Sequence, residues 1–101
     1  IYVVSENNEV VCLDLISGTV RWTTKIKGGL KEGFINTWNA PVIINSKLVV
    51  VGGNKKLIIL NPISGEIERV NNLPGFAASS PLVVSNKVYL MLKNGDIIHI
   101  E

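Results

Sequence analysis

The eleven residues Cys12-Leu13-Asp14-Leu15-Ile16-Ser17-Gly18-Thr19-Val20-Arg21-Trp22 return in altered form as Ile59-Leu60-Asn61-Pro62-Ile63-Ser64-Gly65-Glu66-Ile67-Glu68-Arg69. A repeat at a fixed offset constrains the fold strongly, because each unit can bury its apolar face only against its neighbours. Ser17 and Ser64 stand 47 positions apart, and the same offset carries Ile1-Tyr2-Val3-Val4 onto Leu48-Val49-Val50-Val51. A second offset, of 40, carries Ala40-Pro41-Val42-Ile43-Ile44 onto Ser80-Pro81-Leu82-Val83-Val84, and Lys47-Leu48-Val49-Val50 onto Lys87-Val88-Tyr89-Leu90. One unit is therefore about 40 residues, and the first copy carries 7 extra residues between Trp22 and Ala40.

Within each unit the local signal is β. Ile1–Val4, Val10–Leu15 and Val20–Thr24 are short, rich in β-branched residues, and separated by Glu6-Asn7-Asn8 and Ile16-Ser17-Gly18. The next unit predicts strands at Val42–Ile44, Leu48–Val51, Leu57–Leu60 and Ile67–Val70, and the last at Leu82–Val84, Val88–Leu92 and Ile97–Ile100. Asn94-Gly95 predicts a two-residue type I′ hairpin, whose central positions both need positive φ. No stretch sustains a helical period between caps. Leu48–Val51 is apolar on both faces, as in a strand packed between two sheets. Short strands at this period are the pattern of propeller blades. The expected fold is all-β, a fragment of a β-propeller built from four-stranded antiparallel blades. Residues 1–39 would be the end of one blade plus a long connection, 40–79 one full blade, and 80–101 the start of the next.

Composition narrows the function classes. A hydrophobic content of 47% with 18% charged residues argues against disorder. A net charge of +2 with both signs interspersed gives no strong field, so no nucleic-acid partner is expected. No run approaches the ~18 apolar residues of a transmembrane helix, so this segment is not expected to span the membrane. The chain opens directly on Ile1-Tyr2-Val3-Val4 without a signal peptide or an initiator Met, and reads as a piece of a longer protein. Parts of three blades cannot close a ring, because propellers typically have about four to eight. Either other residues of the parent protein cover the end faces, which is the favoured expectation, or several copies associate.

The repeated segment has a physical reading residue by residue. Asp14 can accept backbone N–H bonds from the turn it precedes, Gly18 supplies positive φ, and Trp22 offers a large flat surface between sheets. Asn61 and Gly65 repeat the first two roles. This run resembles the repeat signature of the PQQ-like (quinoprotein alcohol dehydrogenase-like) propeller superfamily, in which a Leu-Asp pair leads to a Thr/Ser-Gly turn and a Trp packs between blades. Arg69, where the second Trp would fall, departs from that pattern. Leu73-Pro74-Gly75-Phe76, Pro81-Leu82-Val83-Val84, Asn86-Lys87-Val88-Tyr89-Leu90 and Lys93-Asn94-Gly95-Asp96-Ile97-Ile98 are similar to the end of BamB-family chains. Those are non-enzymatic lipoproteins of the outer-membrane β-barrel assembly machinery. The resemblance implies a scaffold at the periplasmic face of the outer membrane, with BamA as protein partner and no cofactor. It would also place Glu101 at or near the natural C-terminus, with an earlier part of the protein supplying the missing strand of the last blade.

An alternative within the superfamily is a fragment of a PQQ-dependent alcohol or sugar dehydrogenase. Such enzymes resemble this chain in fold, and the family pattern adds a calcium ion, a catalytic Asp and, in many, a disulfide of adjacent cysteines. Here Cys12 is alone, and Asp14 and Asp96 stand at separate turns. No catalytic, cofactor-binding or metal-binding residue is therefore expected. Cys12 lies in an apolar strand run and reads as a small core residue. His99 alternates with Ile98 and Ile100 and has no second ligand at suitable spacing. Gly52-Gly53-Asn54-Lys55-Lys56 precedes no helix, so it reads as a solvated hairpin and not as a phosphate loop. The segment singled out for partner contact is the lengthened connection Gly28–Trp38, through Leu30, Phe34, Ile35 and Trp38. Long loops are often functional, and aromatic residues are enriched at interfaces. The competing reading is that Phe34 and Trp38 fold back to cap the blade, since Phe76 precedes Ser80-Pro81 in a similar way.

Overall fold

The computed structural model describes residues 1–5, 8–26, 38–52 and 55–100. Ten strands follow in order: β1 (Tyr2–Val4), β2 (Glu9–Leu13), β3 (Val20–Lys25), β4 (Val42–Ile44), β5 (Lys47–Gly52), β6 (Lys56–Leu60), β7 (Ile67–Asn72), β8 (Leu82–Val84), β9 (Lys87–Met91) and β10 (Ile97–Ile100). They form a three-stranded sheet β1-β2-β3, a four-stranded sheet β4-β5-β6-β7 and a three-stranded sheet β8-β9-β10, with neighbours antiparallel throughout. By the repeat offsets, β1–β3 correspond to β5–β7 and β8–β10 to β4–β6. The fold is all-β, and its sheets stack as propeller blades.

β5 shows why the apolar run is continuous. Leu48 and Val50 join Val10, Ile26, Ile58 and Leu60 in a core against the first sheet. Val49 and Val51 point the other way, into a second core with Leu57, Leu73, Ala77, Leu90 and Leu92. Successive side chains of a strand alternate faces, so a strand between two sheets must be apolar at every position. Each such side chain contributes about 1.5–3 kcal/mol when fully buried, an upper estimate relative to an extended chain. Cys12 is buried in β2 as a free thiol.

The strand ends differ from expectation by at most two residues, as at Val70, where β7 runs on to Asn72, and at the Asp14 turn. β2 stops at Leu13, because Asp14 and Leu15 belong to the turn and not to the strand. Asp14 N donates to Thr19 O and Gly18 N to Asp14 O; Asn61 N to Glu66 O and Gly65 N to Asn61 O repeat the pair. A register shift precedes each turn, between Cys12 and Leu13 and between Ile59 and Leu60. The recurrence thus extends to the irregularity.

The hairpin expected at Asn94-Gly95 is not of type I′. Gly95 has φ of 94°, but Asn94 is outside the positive-φ set. Gly95 N donates to Leu92 O at 3.0 Å and Leu92 N to Asp96 O at 2.8 Å. That is a three-residue loop, a type I turn closed by a left-handed residue. The Asn94 side chain helps to fix it by accepting from Asp96 N at 2.9 Å. The type I′ geometry occurs instead at Asn45-Ser46 (φ 50° and 64°) and at Ser85-Asn86 (φ 50° and 66°). Neither pair contains glycine, so the usual Asn-Gly signal pointed to the wrong hairpin.

Candidate functional site

Two features of the described residues join the first and second sheets: the end of the long connection, and the seam between them. Leu30, Phe34 and Ile35 lie outside the described residues. Trp38 lies within them. It bridges Gly52 at the end of β5, and its indole Nε1–H donates to Asn8 Oδ1 at 2.8 Å. Its half-buried ring packs against the first core cluster. The connection therefore ends in a clamp from the second sheet back onto the β1–β2 turn of the first. A related contact joins the next pair. Phe76, beside the bridge Ala77–Leu92, lies under the Lys55 ammonium, 5.1 Å from the ring centroid. Asn8 and Lys55 are 47 residues apart, and both hold left-handed backbone, with φ of 60° and 59°.

The seam is assembled from the repeated motif. On the first sheet Tyr2, Cys12 and Trp22 are cross-strand partners in one row. The Tyr2 and Trp22 rings stand 6.0 Å apart at 39°. Tyr2 Oη–H and Trp22 Nε1–H both donate to Pro62 O, at 3.2 and 3.1 Å. Thr24 Oγ1–H donates to Gly65 O at 2.5 Å. Gly65 has φ of +78°, and a Cβ there would lie 2.5 Å from Trp22 ring atoms. So the aromatic row of one sheet docks on the Asn61–Gly65 turn of the next. Gly18, the same position one unit earlier, has φ of +72° and nothing within 4 Å of a built Cβ.

The turns are held by their leading side chains. Asp14 Oδ1 accepts from Ile16 N and Ser17 N, each at 2.9 Å. Asn61 Oδ1 accepts from Ile63 N and Ser64 N at 2.8 and 3.1 Å. The Ser17 and Ile16 backbone N–H bonds lower the Asp14 pKa, with smaller help from the Ser17 hydroxyl and Arg21. Arg69, exposed on β7, pairs in register with Ile59.

Gly53 and Asn54 of the Gly52–Lys56 hairpin lie outside the described residues. His99 stacks on Tyr89 with centroids 5.4 Å apart. Among the described residues, no three of His, Cys, Asp and Glu come together as a metal set. Sequence reasoning missed Tyr2, Thr24 and Pro62 as seam residues. The available signal was Tyr2 and Tyr89, which fall at one repeat position with Val49 between them. Reading the register across strands, and not only along them, would have found the row.

Antiparallel sheets recurring at this period, joined by a Trp seated on the next sheet's Ser-Gly turn, define blades of a PQQ-like β-propeller. A family model described as outer membrane protein assembly factor BamB matches residues 6–101, and the chain belongs to that family. Among solved structures, BamB from Moraxella catarrhalis is similar with a TM-score of 0.74 at 23% identity, over 95% of this chain. The chain spans 27% of that protein's length. At this identity the structural likeness bears on the fold. No curated protein matches the chain.

Proposed function

We propose that these blades belong to a non-enzymatic scaffold that assists assembly and insertion of outer-membrane β-barrel proteins at the periplasmic face of the outer membrane. The observation that carries the reading is the family match over residues 6–101. It is supported by the use of the repeat motif: Asp14, Gly18, Trp22, Asn61 and Gly65 are occupied with turn geometry and sheet docking, which suits a rigid support. The proposed partner is BamA, and the proposed contact is the connection Gly28–Trp38. There Leu30, Phe34 and Ile35 would face the partner, with Trp38 anchoring the segment to Asn8. In this reading residues 1–39, 40–79 and 80–101 act as successive parts of one disc.

Co-purification tests this reading. Affinity-tagged full-length protein is expected to retain the barrel-assembly machinery from detergent-solubilised membranes. Replacing Leu30, Phe34 and Ile35 together by Ser should reduce that retention while leaving the fold intact by circular dichroism. Tight PQQ binding with dye-linked alcohol oxidation by the full-length protein would overturn the scaffold reading.

A further inference from the structure

The hairpin that joins β9 to β10 repeats two earlier ones with a single chemical change. Asn8, Lys55 and Gly95 fall at one repeat position and all hold positive φ, of 60°, 59° and 94°. Each follows an asparagine: Asn7, Asn54 and Asn94. The third pair alone is Asn-Gly, so there no Cβ crowds the backbone nitrogen that follows the carboxamide. Asn94, Gly95 and Asp96 are exposed. Lys55 is exposed as well, even with Phe76 of the following connection beside it. Exposure at this position therefore belongs to the hairpin itself.

Asp96 holds the Asn94 carboxamide at both ends. Asn94 Oδ1 accepts from Asp96 N at 2.9 Å, and Asn94 Nδ2 donates to Asp96 Oδ2 at 3.1 Å. A backbone N–H on Oδ1 polarises the carbonyl and stabilises negative charge developing on that oxygen. The neighbouring nucleophile is Gly95 N, restrained by its hydrogen bond to Leu92 O at 3.0 Å. Leu92 is itself buried in the second seam, between the second and third sheets. Among the described residues, nothing lies within 4 Å of a Cβ built at Gly95, so its peptide has room to turn toward the carboxamide.

We propose that Asn94 is a modification site, at which the chain deamidates spontaneously. Gly95 N bonds to Asn94 Cγ, the Cγ–Nδ2 bond breaks, and Nδ2 leaves as ammonia with the Gly95 amide proton. Water then opens the succinimide ring at either carbonyl, giving aspartate or isoaspartate. Aspartate replaces the donor to Asp96 by a second carboxylate, and like charges at that distance repel. Isoaspartate adds a backbone carbon to a loop whose length sets its turn geometry. Both products loosen the β9–β10 hairpin.

The test holds full-length protein in mildly alkaline buffer and follows each asparagine by peptide mapping with mass spectrometry. Conversion is expected at Asn94, at a rate within about tenfold of that in guanidinium-unfolded protein, because exposed turns open at little free-energy cost. Asn7 and Asn54, each followed by a larger residue, should stay intact over the same period. Gly95→Ala should abolish the conversion. Asn94→Gln cannot close the same ring and should abolish it too, should Gly95→Ala disturb the hairpin. Asn94→Asp, which is the aspartate product, should speed hydrogen exchange at the Gly95 and Asp96 amides. Conversion slower than the tenfold limit, equal conversion at Asn54, or persistence in Gly95→Ala would overturn the site. Unchanged exchange in Asn94→Asp would overturn the loosening.

Discussion

Gly18 and Gly65 occupy one position of the repeat and share the same backbone conformation, yet their surroundings are opposite. At Gly18 an added methyl meets only the strain of positive φ, about 1–2 kcal/mol for an L-residue. At Gly65 the methyl would also drive into the Trp22 ring and the Thr24 hydroxyl, and overpacking adds roughly 1–3 kcal/mol. In the 101-residue chain, Gly65→Ala is therefore expected to lower the urea midpoint clearly more than Gly18→Ala. Equal shifts would mean that the seam yields without cost. Asp14 and Asn61 form a second natural comparison. The Ser17 and Ile16 N–H groups stabilise the Asp14 carboxylate and depress its pKa below 3.8. The stabilisation is therefore present above that value and lost as pH falls through the lower folded one. Asn61 shows that a carboxamide can hold the same turn without titrating. Asp14→Asn should thus flatten the acid limb of the stability profile, measured by urea unfolding between about pH 2 and 5. An unchanged acid limb would place the pH dependence at other carboxylates.

Strands and turns show where the sequence was legible. Strand existence followed from β-branched runs bounded by Asn, Ser and Gly, and β5 was recognisable because a strand with two buried faces cannot alternate. Turn type was less legible: Asn94-Gly95 carries the strongest dipeptide signal, but loop length decided its geometry. Ser46 and Ser85 adopt left-handed φ because the two-residue hairpins demand it, and nothing in their own propensity announces this. The seam was half visible. Trp22 could be assigned to inter-sheet packing from its motif, whereas its acceptor Pro62 is 40 residues away and is fixed only when the sheets stack. Repeat equivalence therefore does not give energetic equivalence. Trp22→Ala removes a docked ring and one donor to Pro62 O, and should cost about 3 kcal/mol. Arg69→Ala, at the same repeat position on an exposed surface, should stay within about 0.5 kcal/mol. Paired urea melts decide between these, and comparable losses would show that Arg69 holds the second seam after all.

At the scale of the whole molecule, three stacked sheets leave two outward faces, and these are unlike. On the third sheet Leu82, Met91 and Ile97 are 63%, 49% and 64% exposed, and with Tyr89 they line one hollow of ≈ 380 Å³. On the first sheet's side, Leu15 and Ile16 are exposed at the tip of the Asp14 turn. The second sheet, covered on both sides, shows what such faces become when a neighbour is present: its central strands β5 and β6 are almost wholly buried. A contiguous apolar face of this kind drives association in water unless something covers it. The 101-residue chain studied alone is therefore expected to elute above its 11.0 kDa monomer mass, with a position that depends on concentration. Leu82→Lys with Ile97→Lys places two charges on the open face without touching either seam, and should return the chain to the monomer position. The same double substitution in the full-length protein provides the contrast. If the third sheet's face is covered there, burying two lysines should destabilise it by several kcal/mol. A monomeric wild-type chain, or a full-length variant of unchanged stability, would show that this face meets solvent in the working protein.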